Sequence, residues 1–129
     1  KKHDILIIFD EVMTGWGRTG KLFALDHLNV HPDIICLSKG LTGGTLPLGL
    51  TVATEKIYNA FLSDDKKKAL LHGHSFTGNA LACAAACASL DLFEQKDTWI
   101  NIENIVKKHS DFREFISIFC FIDIIWMSS

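Results

Sequence analysis

The sequence predicts an α/β fold, a mostly parallel sheet with helices on both faces, and three observations carry that prediction. Two short runs rich in Ile and Leu, Asp4-Ile-Leu-Ile-Ile-Phe-Asp-Glu11 and Asp33-Ile-Ile-Cys-Leu-Ser-Lys-Gly40, each close in polar residues. Such runs read as strands buried on both faces of a parallel sheet. The third observation is the alanine- and leucine-rich stretch from Gly78 to Phe93, which reads as a well-packed helix.

Taken in order, residues 4–10 and 33–39 are expected as strands. Gly49-Leu-Thr-Val-Ala-Thr54 is a third, running into a short helix at Glu55–Leu62. Ser63 to Ala69 is polar and charged and reads as a surface loop. In the helix of Gly78–Phe93, Asn79 stands at the N-cap, where its side-chain oxygen can accept from a free backbone N–H. Ile102, Ile105, Val106, Phe112 and Phe115 recur at helical spacing, which predicts an amphipathic helix over 100–116. The apolar tail from Phe115 to Met127 is too short for a membrane span and is interrupted by Asp123. It is expected as the first strand of a following domain, with high β-propensity and a tendency to stick when unpaired.

Bulk properties exclude several functions. A net charge of -2 leaves no electrostatic footprint for nucleic acid or an anionic membrane. Lys66-Lys67-Lys68 is a basic cluster, but Asp64 and Asp65 beside it make it a solvated loop. Cys36, Cys83, Cys87 and Cys120 follow no disulfide spacing and behave as small hydrophobes, as in a reducing cytoplasm, where the chain is expected. With 129 residues the chain has the length of one domain. It opens on Lys1 with the first block already a core strand, so a piece of a longer protein is expected.

Ligands of open parallel sheets bind beyond the carboxyl ends of the strands. Asp10 and Lys39 end the first two predicted strands and are expected to point into one crevice. Each alone has an ordinary explanation: a lysine at a strand end is usually solvated, and Asp-Glu after a strand usually caps the next turn. Together they supply what pyridoxal phosphate chemistry needs, an amine to bond the cofactor and an acid to hold its pyridine nitrogen protonated.

The surrounding text strengthens the pairing. Asp10-Glu-Val-Met-Thr-Gly-Trp-Gly-Arg-Thr-Gly20, Pro32-Asp-Ile-Ile-Cys-Leu-Ser-Lys-Gly-Leu41 and His72-Gly-His-Ser-Phe-Thr-Gly-Asn-Ala-Leu-Ala-Cys-Ala-Ala85 resemble, in order and spacing, three blocks of the class III (omega) aminotransferases. The resemblance covers about residues 1–116. It implies part of the large domain of a fold-type I pyridoxal-phosphate enzyme over 1–94. Residues 95–129 would then be a connecting helix and the incomplete start of the small C-terminal domain. Within the family, Leu41-Thr-Gly-Gly-Thr-Leu-Pro-Leu48 and Gly73–Asn79 are most similar to the biotin-biosynthesis branch. That implies S-adenosylmethionine as amino donor, 8-amino-7-oxononanoate as acceptor and a homodimer. The alternatives are another omega-aminotransferase, of ornithine, acetylornithine or 4-aminobutyrate type, or a non-catalytic folding module.

Carried over residue by residue, the resemblance places Asp10 at the pyridine nitrogen and Lys39 as the covalent partner and proton shuttle. Ser75 falls where the family has a threonine that binds cofactor phosphate from the neighbouring subunit; serine keeps that hydroxyl. The alternative for Ser75 is a turn-forming role. Gly73 and His74 would line the same site, Gly73 towards substrate and His74 towards cofactor. Arg18 would lie near the substrate, where a guanidinium can orient a carboxylate, or else tie its loop to neighbouring acids. No metal is expected, because His72, His74, Cys83 and Cys87 lack the tight-loop spacing of zinc ligands. Ala80 stands in place of a customary proline, and Trp16 in place of a customary phenylalanine. The family's phosphate-cradling loop and ring-stacking aromatic are expected upstream of the chain, and the substrate-gripping arginine downstream.

Overall fold

Three strands form one sheet in the order β1 (Ile8–Asp10), β2 (Ile34–Leu37), β3 (Leu50–Ala53). The architecture comes from a computed structural model that describes residues 3–127, with side chains as far as Ile116. β1 and β2 are parallel, with Ile8 opposite Ile34 and Asp10 opposite Cys36. β2 and β3 are antiparallel, with Leu37 opposite Leu50. Within this chain the sheet is therefore mixed, one parallel and one antiparallel pairing.

β1 is shorter than the run 4–10 for a local reason. The Ile7 amide donates to the Asp33 carboxylate at 2.8 Å, while Asp33 N and Ile34 N both donate to Ile7 O. Asp33 thus closes the start of the ladder and leaves Ile5 and Leu6 without a strand partner. It also accepts from Thr54 N through its carbonyl, tying the end of β3 to the same point. β2 stops at Leu37 because Lys39 adopts φ +47, a left-handed conformation that no strand can continue through.

The expectation of strands buried on both faces is not met in this chain. Ile8 is 60% exposed and every residue of β3 is exposed. No helix of the first unit covers these faces as a layer, because the crossover from β1 to β2 carries only a 3-10 turn at Ala24–His27. The buried apolar set is small: Leu37, Leu41 and Ala82.

Helix α1 spans Glu55–Phe61, as expected from its sequence. The polar stretch after it contains a 3-10 turn at Lys66–Lys68, capped by Asp65 Oδ1 accepting from Lys67 N at 3.0 Å. Helix α2 spans Ala80–Phe93, and Asn79 caps it, its Oδ1 accepting from Ala82 N at 3.0 Å. Ala80 is the first helical residue, a position proline would also satisfy because that N–H has no intrahelical acceptor.

The chain divides into two units, the first ending at Leu92 and the second starting at Phe93. The second is dominated by α3, Lys96–Met127. Its start is fastened by Trp99 Nε1 donating to Phe93 O at 2.7 Å, with the two rings 6.1 Å apart. The strand expected over the tail is corrected: the backbone there is helical through Met127. A lone strand would leave its N–H and C=O groups without partners, whereas a helix pairs them internally. The amphipathic stripe of 100–116 is present but uncovered, with Ile105, Phe112 and Phe115 exposed. Among the described residues, no helix is long and apolar enough to cross a membrane.

Candidate functional site

The site begins at the carboxyl ends of the two parallel strands. Asp10 is the last residue of β1, and its partner Cys36 in β2 precedes Lys39 by one short stretch of extended chain. Since adjacent strands lie about 4.8 Å apart, the parallel register brings Asp10 and Lys39 to the same end of the same sheet. Asp10 is exposed, with Oδ1 accepting from Val12 N at 3.0 Å. Lys39 is exposed as well, and among the described residues its ammonium has no hydrogen-bond or ion-pair partner. Both readings of these residues are therefore visible at once: Asp10 does cap the following turn, and one carboxylate oxygen serves for that.

Lys39 opens a 3-10 turn, Lys39–Thr42, built almost entirely from local bonds. Leu41 N donates to Ser38 O, Gly43 N to Gly40 O and Gly44 N to Lys39 O. Side chains close the outer part of the loop, Ser38 Oγ donating to Leu48 O and Thr42 Oγ1 to Leu46 O, each at 2.6 Å. A non-glycine residue at φ +47 costs about 1–3 kcal/mol and persists only where its surroundings enforce it.

Gly40 has a steric reason to be glycine. A Cβ there would sit 2.6 Å from Trp16 Cβ and 2.9 Å from its Cγ. The indole of Trp16 lies against the Lys39 turn on one side and edge-on to Phe23 at 5.5 Å on the other. The absent side chain lets the root of an aromatic residue at position 16 approach the Lys39 turn.

The loop that carries Trp16 is folded by a residue that the sequence alone did not single out. Glu11 is 2% exposed. Its carboxylate accepts from Thr14 Oγ1, from Ala24 N at 3.0 Å and from Leu25 N at 2.7 Å. Burial pushes its pKa up, but these three donors outweigh burial and hold it below its ordinary value. Glu11 therefore folds the loop between β1 and β2 onto itself. The signal for it was present, since a carboxylate directly after a strand end and next to a functional candidate has to be accommodated somewhere.

A depressed folded-state pKa means that the carboxylate's contribution is present above pH 4.5, the unfolded value, and is lost as pH falls through the lower folded value. Glu11→Gln keeps the shape but turns an NH2 donor towards backbone donors. It is expected to destabilise the fold by about 1–3 kcal/mol and to flatten the acid limb of the stability curve. Amide exchange at Ala24 and Leu25 in the full-length protein, together with urea unfolding across that pH range, measures both. Unchanged exchange at both amides would show that the carboxylate does not hold the loop.

An open cavity of about 240 Å³ lies beside Asp10 and is lined by Phe9, Glu11, Thr14, Leu25 and Leu28 among others. Lys39 does not line it. Arg18 is exposed, and among the described residues it forms no ion pair with neighbouring acids.

The third block forms a separate exposed loop. His74 N donates to Thr77 Oγ1 at 2.9 Å, Phe76 N donates to His74 Nδ1 at 3.1 Å, and Thr77 N donates to His74 O at 3.0 Å. His74 and Thr77 thus make the turn, with Ser75 exposed between them. Gly73 faces open space apart from Thr77 Oγ1 at 4.0 Å. Nothing among the described contacts joins Gly73, His74 or Ser75 to Asp10 or Lys39. The His72 and His74 rings stand 6.5 Å apart, and no group of three metal-ligating side chains occurs among the described residues.

Comparison with known proteins identifies the family. The family model "Aminotransferase class-III" matches residues 1–114. The adenosylmethionine-8-amino-7-oxononanoate aminotransferase of Methanocaldococcus jannaschii is 48% identical over 120 residues, covering 88% of this chain and 26% of that protein. The enzyme of the same name from Synechococcus elongatus is 61% identical over 87 residues, covering 67% of this chain and 20% of that protein. Among solved structures, that of the Methanocaldococcus jannaschii enzyme superposes with a TM-score of 0.74 at 49% identity, over 88% of this chain and 26% of that one. An S-selective transaminase from Arthrobacter sp. superposes with a TM-score of 0.75 at 33% identity, over 88% of this chain and 24% of that one. The chain spans about a quarter of the length of these relatives. Matched over nearly all of its length, the chain belongs to the class III aminotransferases.

Proposed function

We propose that the chain contributes the lysine and the acid of a pyridoxal-phosphate transaminase that moves the amino group of S-adenosylmethionine to 8-amino-7-oxononanoate, giving 7,8-diaminononanoate in biotin biosynthesis. The single observation that carries this reading is the parallel β1–β2 register, which puts Asp10 and Lys39 at one end of one sheet. The donor set suits the cofactor: an amine without a competing partner and a carboxylate with an oxygen to spare. Substrate identity rests on the relatives' names at 48–61% identity.

Bound there, pyridoxal phosphate supplies an electron sink for bonds at the substrate's amino-bearing carbon. Asp10 holds a proton on the pyridine nitrogen by its charge. Lys39 offers its amine to the cofactor's aldehyde carbon. The same amine would serve as the base that carries a proton at the substrate's amino-bearing carbon. Arg18 orients a substrate carboxylate, and Gly73 leaves space for substrate. Ser75 donates to the cofactor phosphate across a dimer interface, with His74 holding the turn that presents it. Residues 1–94 belong to the large domain in this reading and 95–129 lead into the small one. The exposed apolar faces of the sheet and of α3 are then surfaces that the rest of the polypeptide and the second subunit cover.

Amino-donor preference of the full-length protein tests the proposal. Turnover of 8-amino-7-oxononanoate with S-adenosylmethionine, and none with glutamate, is the expected result. Transfer of an omega-amino group to 2-oxoglutarate, giving glutamate, would instead move the chain to the ornithine, acetylornithine or 4-aminobutyrate type.

A further inference from the structure

We infer that Ser89 is a positioning residue for Lys39, acting from helix α2 through the carbonyl of Gly40. Ser89 is 8% exposed and is the one polar side chain among the buried residues of α2. Its Oγ donates to Gly40 O at 3.1 Å. The inference rests on the reading of Lys39 as the residue that bonds the cofactor.

The hydrogen bonds already described for the turn run between residues 38 and 48, within the loop itself. Local bonds fix the shape of a loop but not its place on the sheet. The Ser89 bond differs because it joins residues 49 positions apart and anchors the turn to a regular helix. It falls on the residue directly after Lys39, whose own backbone is held at φ +47. Trp16 bears on Gly40 from the first loop. Gly40 is thus gripped through its carbonyl by α2 and through its Cα by Trp16.

The sequence of α2 fits this role. Ala82 and Ser89 are both buried, and a spacing of seven puts them on one face of the helix. Small side chains there let α2 approach the turn closely; a Cβ on Gly43 would lie 3.9 Å from Ser89 Oγ. In an otherwise apolar surface, a hydroxyl without this acceptor would be costly to bury. The bond therefore specifies one seating of the turn, and with it one position for the Lys39 amine.

Ser89→Ala and Ser89→Thr in the full-length protein test the inference, with Lys39→Ala as reference. The first readout is the rate of covalent capture of pyridoxal phosphate. The Lys39 nitrogen bonds the aldehyde carbon with loss of water, and borohydride then delivers hydride to that carbon, so the adduct is mapped by mass. The second is amide exchange over Gly40–Gly44. Ser89→Ala is expected to slow capture at Lys39 by about three- to tenfold and to speed exchange in that segment alone. It should lower kcat more than it changes KM, and Ser89→Thr should restore most of the rate by keeping the hydroxyl. Parent-like capture and exchange in Ser89→Ala would overturn the inference, as would a general loss of stability with capture unchanged. If instead the adduct survives in Lys39→Ala, the reading of Lys39 itself has failed.

Discussion

Lys39→Ala in the full-length protein abolishes transamination and the borohydride-trapped cofactor adduct together; that is the largest effect expected from any single change in this chain. Alanine removes the only group at this turn able to bond an aldehyde carbon, and with it the base that moves the proton. The fold should tolerate the change. The Lys39 ammonium has no partner among the described residues, and the turn is closed by backbone bonds and by Ser38 and Thr42. Alanine at φ +47 is no more strained than lysine there. Loss of activity without unfolding, checked by circular dichroism, is therefore the outcome to look for. The adduct must also vanish at this residue specifically. Lys21, exposed like Lys39, and Lys56, 3.5 Å from Asp4, are the alternative positions to check. A trapped adduct at either of them would overturn the assignment.

Asp10→Asn should cost several kcal/mol of transition-state stabilisation, on the order of a thousandfold in kcat. The substitution separates the turn contact of Asp10 from the charge that its proposed role requires. Asp10 Oδ1 accepts from Val12 N, and the asparagine carbonyl can accept the same bond. The turn after β1 is thereby kept while the charge is removed. Without that charge the pyridine nitrogen loses its proton and the ring its pull on electrons. Cofactor should still bind, because its phosphate is held elsewhere. Stopped-flow rates with S-adenosylmethionine, alongside cofactor retention on gel filtration, distinguish a chemical defect from a binding one. Near-normal turnover would show that Asp10 is not the partner of the ring nitrogen.

Family membership was legible in the order and spacing of three sequence blocks, and so were the positions of most strands and helices. Asp10 and Lys39 stood out because polar residues that end apolar runs mark strand termini, and strand termini carry function in parallel sheets. Asn79 was legible as a cap for an equally local reason, since an N-cap bond spans only three residues. Two matters were not legible. The sheet's mixed pairing depends on how the loop after Lys39 turns back, and strand direction leaves no mark on a strand's own apolar pattern. The tail's high β-propensity pointed to a strand, yet its backbone is helical, which pairs N–H and C=O groups within the segment.

Ser75, Gly73 and His74 mark the limit of what one chain can show. Their loop is folded by its own bonds, and nothing among the described contacts brings it to Lys39. By itself the sequence determined the family, singled out Asp10 and Lys39 as candidates, and located most of the strands and helices, because these depend on residue type and short-range spacing. Only the tertiary structure decided that Glu11 is buried to hold the first loop, that Trp16 fits because Gly40 has no side chain, and that Ser89 reaches the Lys39 turn. Each of those is a contact between residues distant in sequence. Burial and hydrogen-bond partners are set by what the fold brings near, which no local pattern encodes.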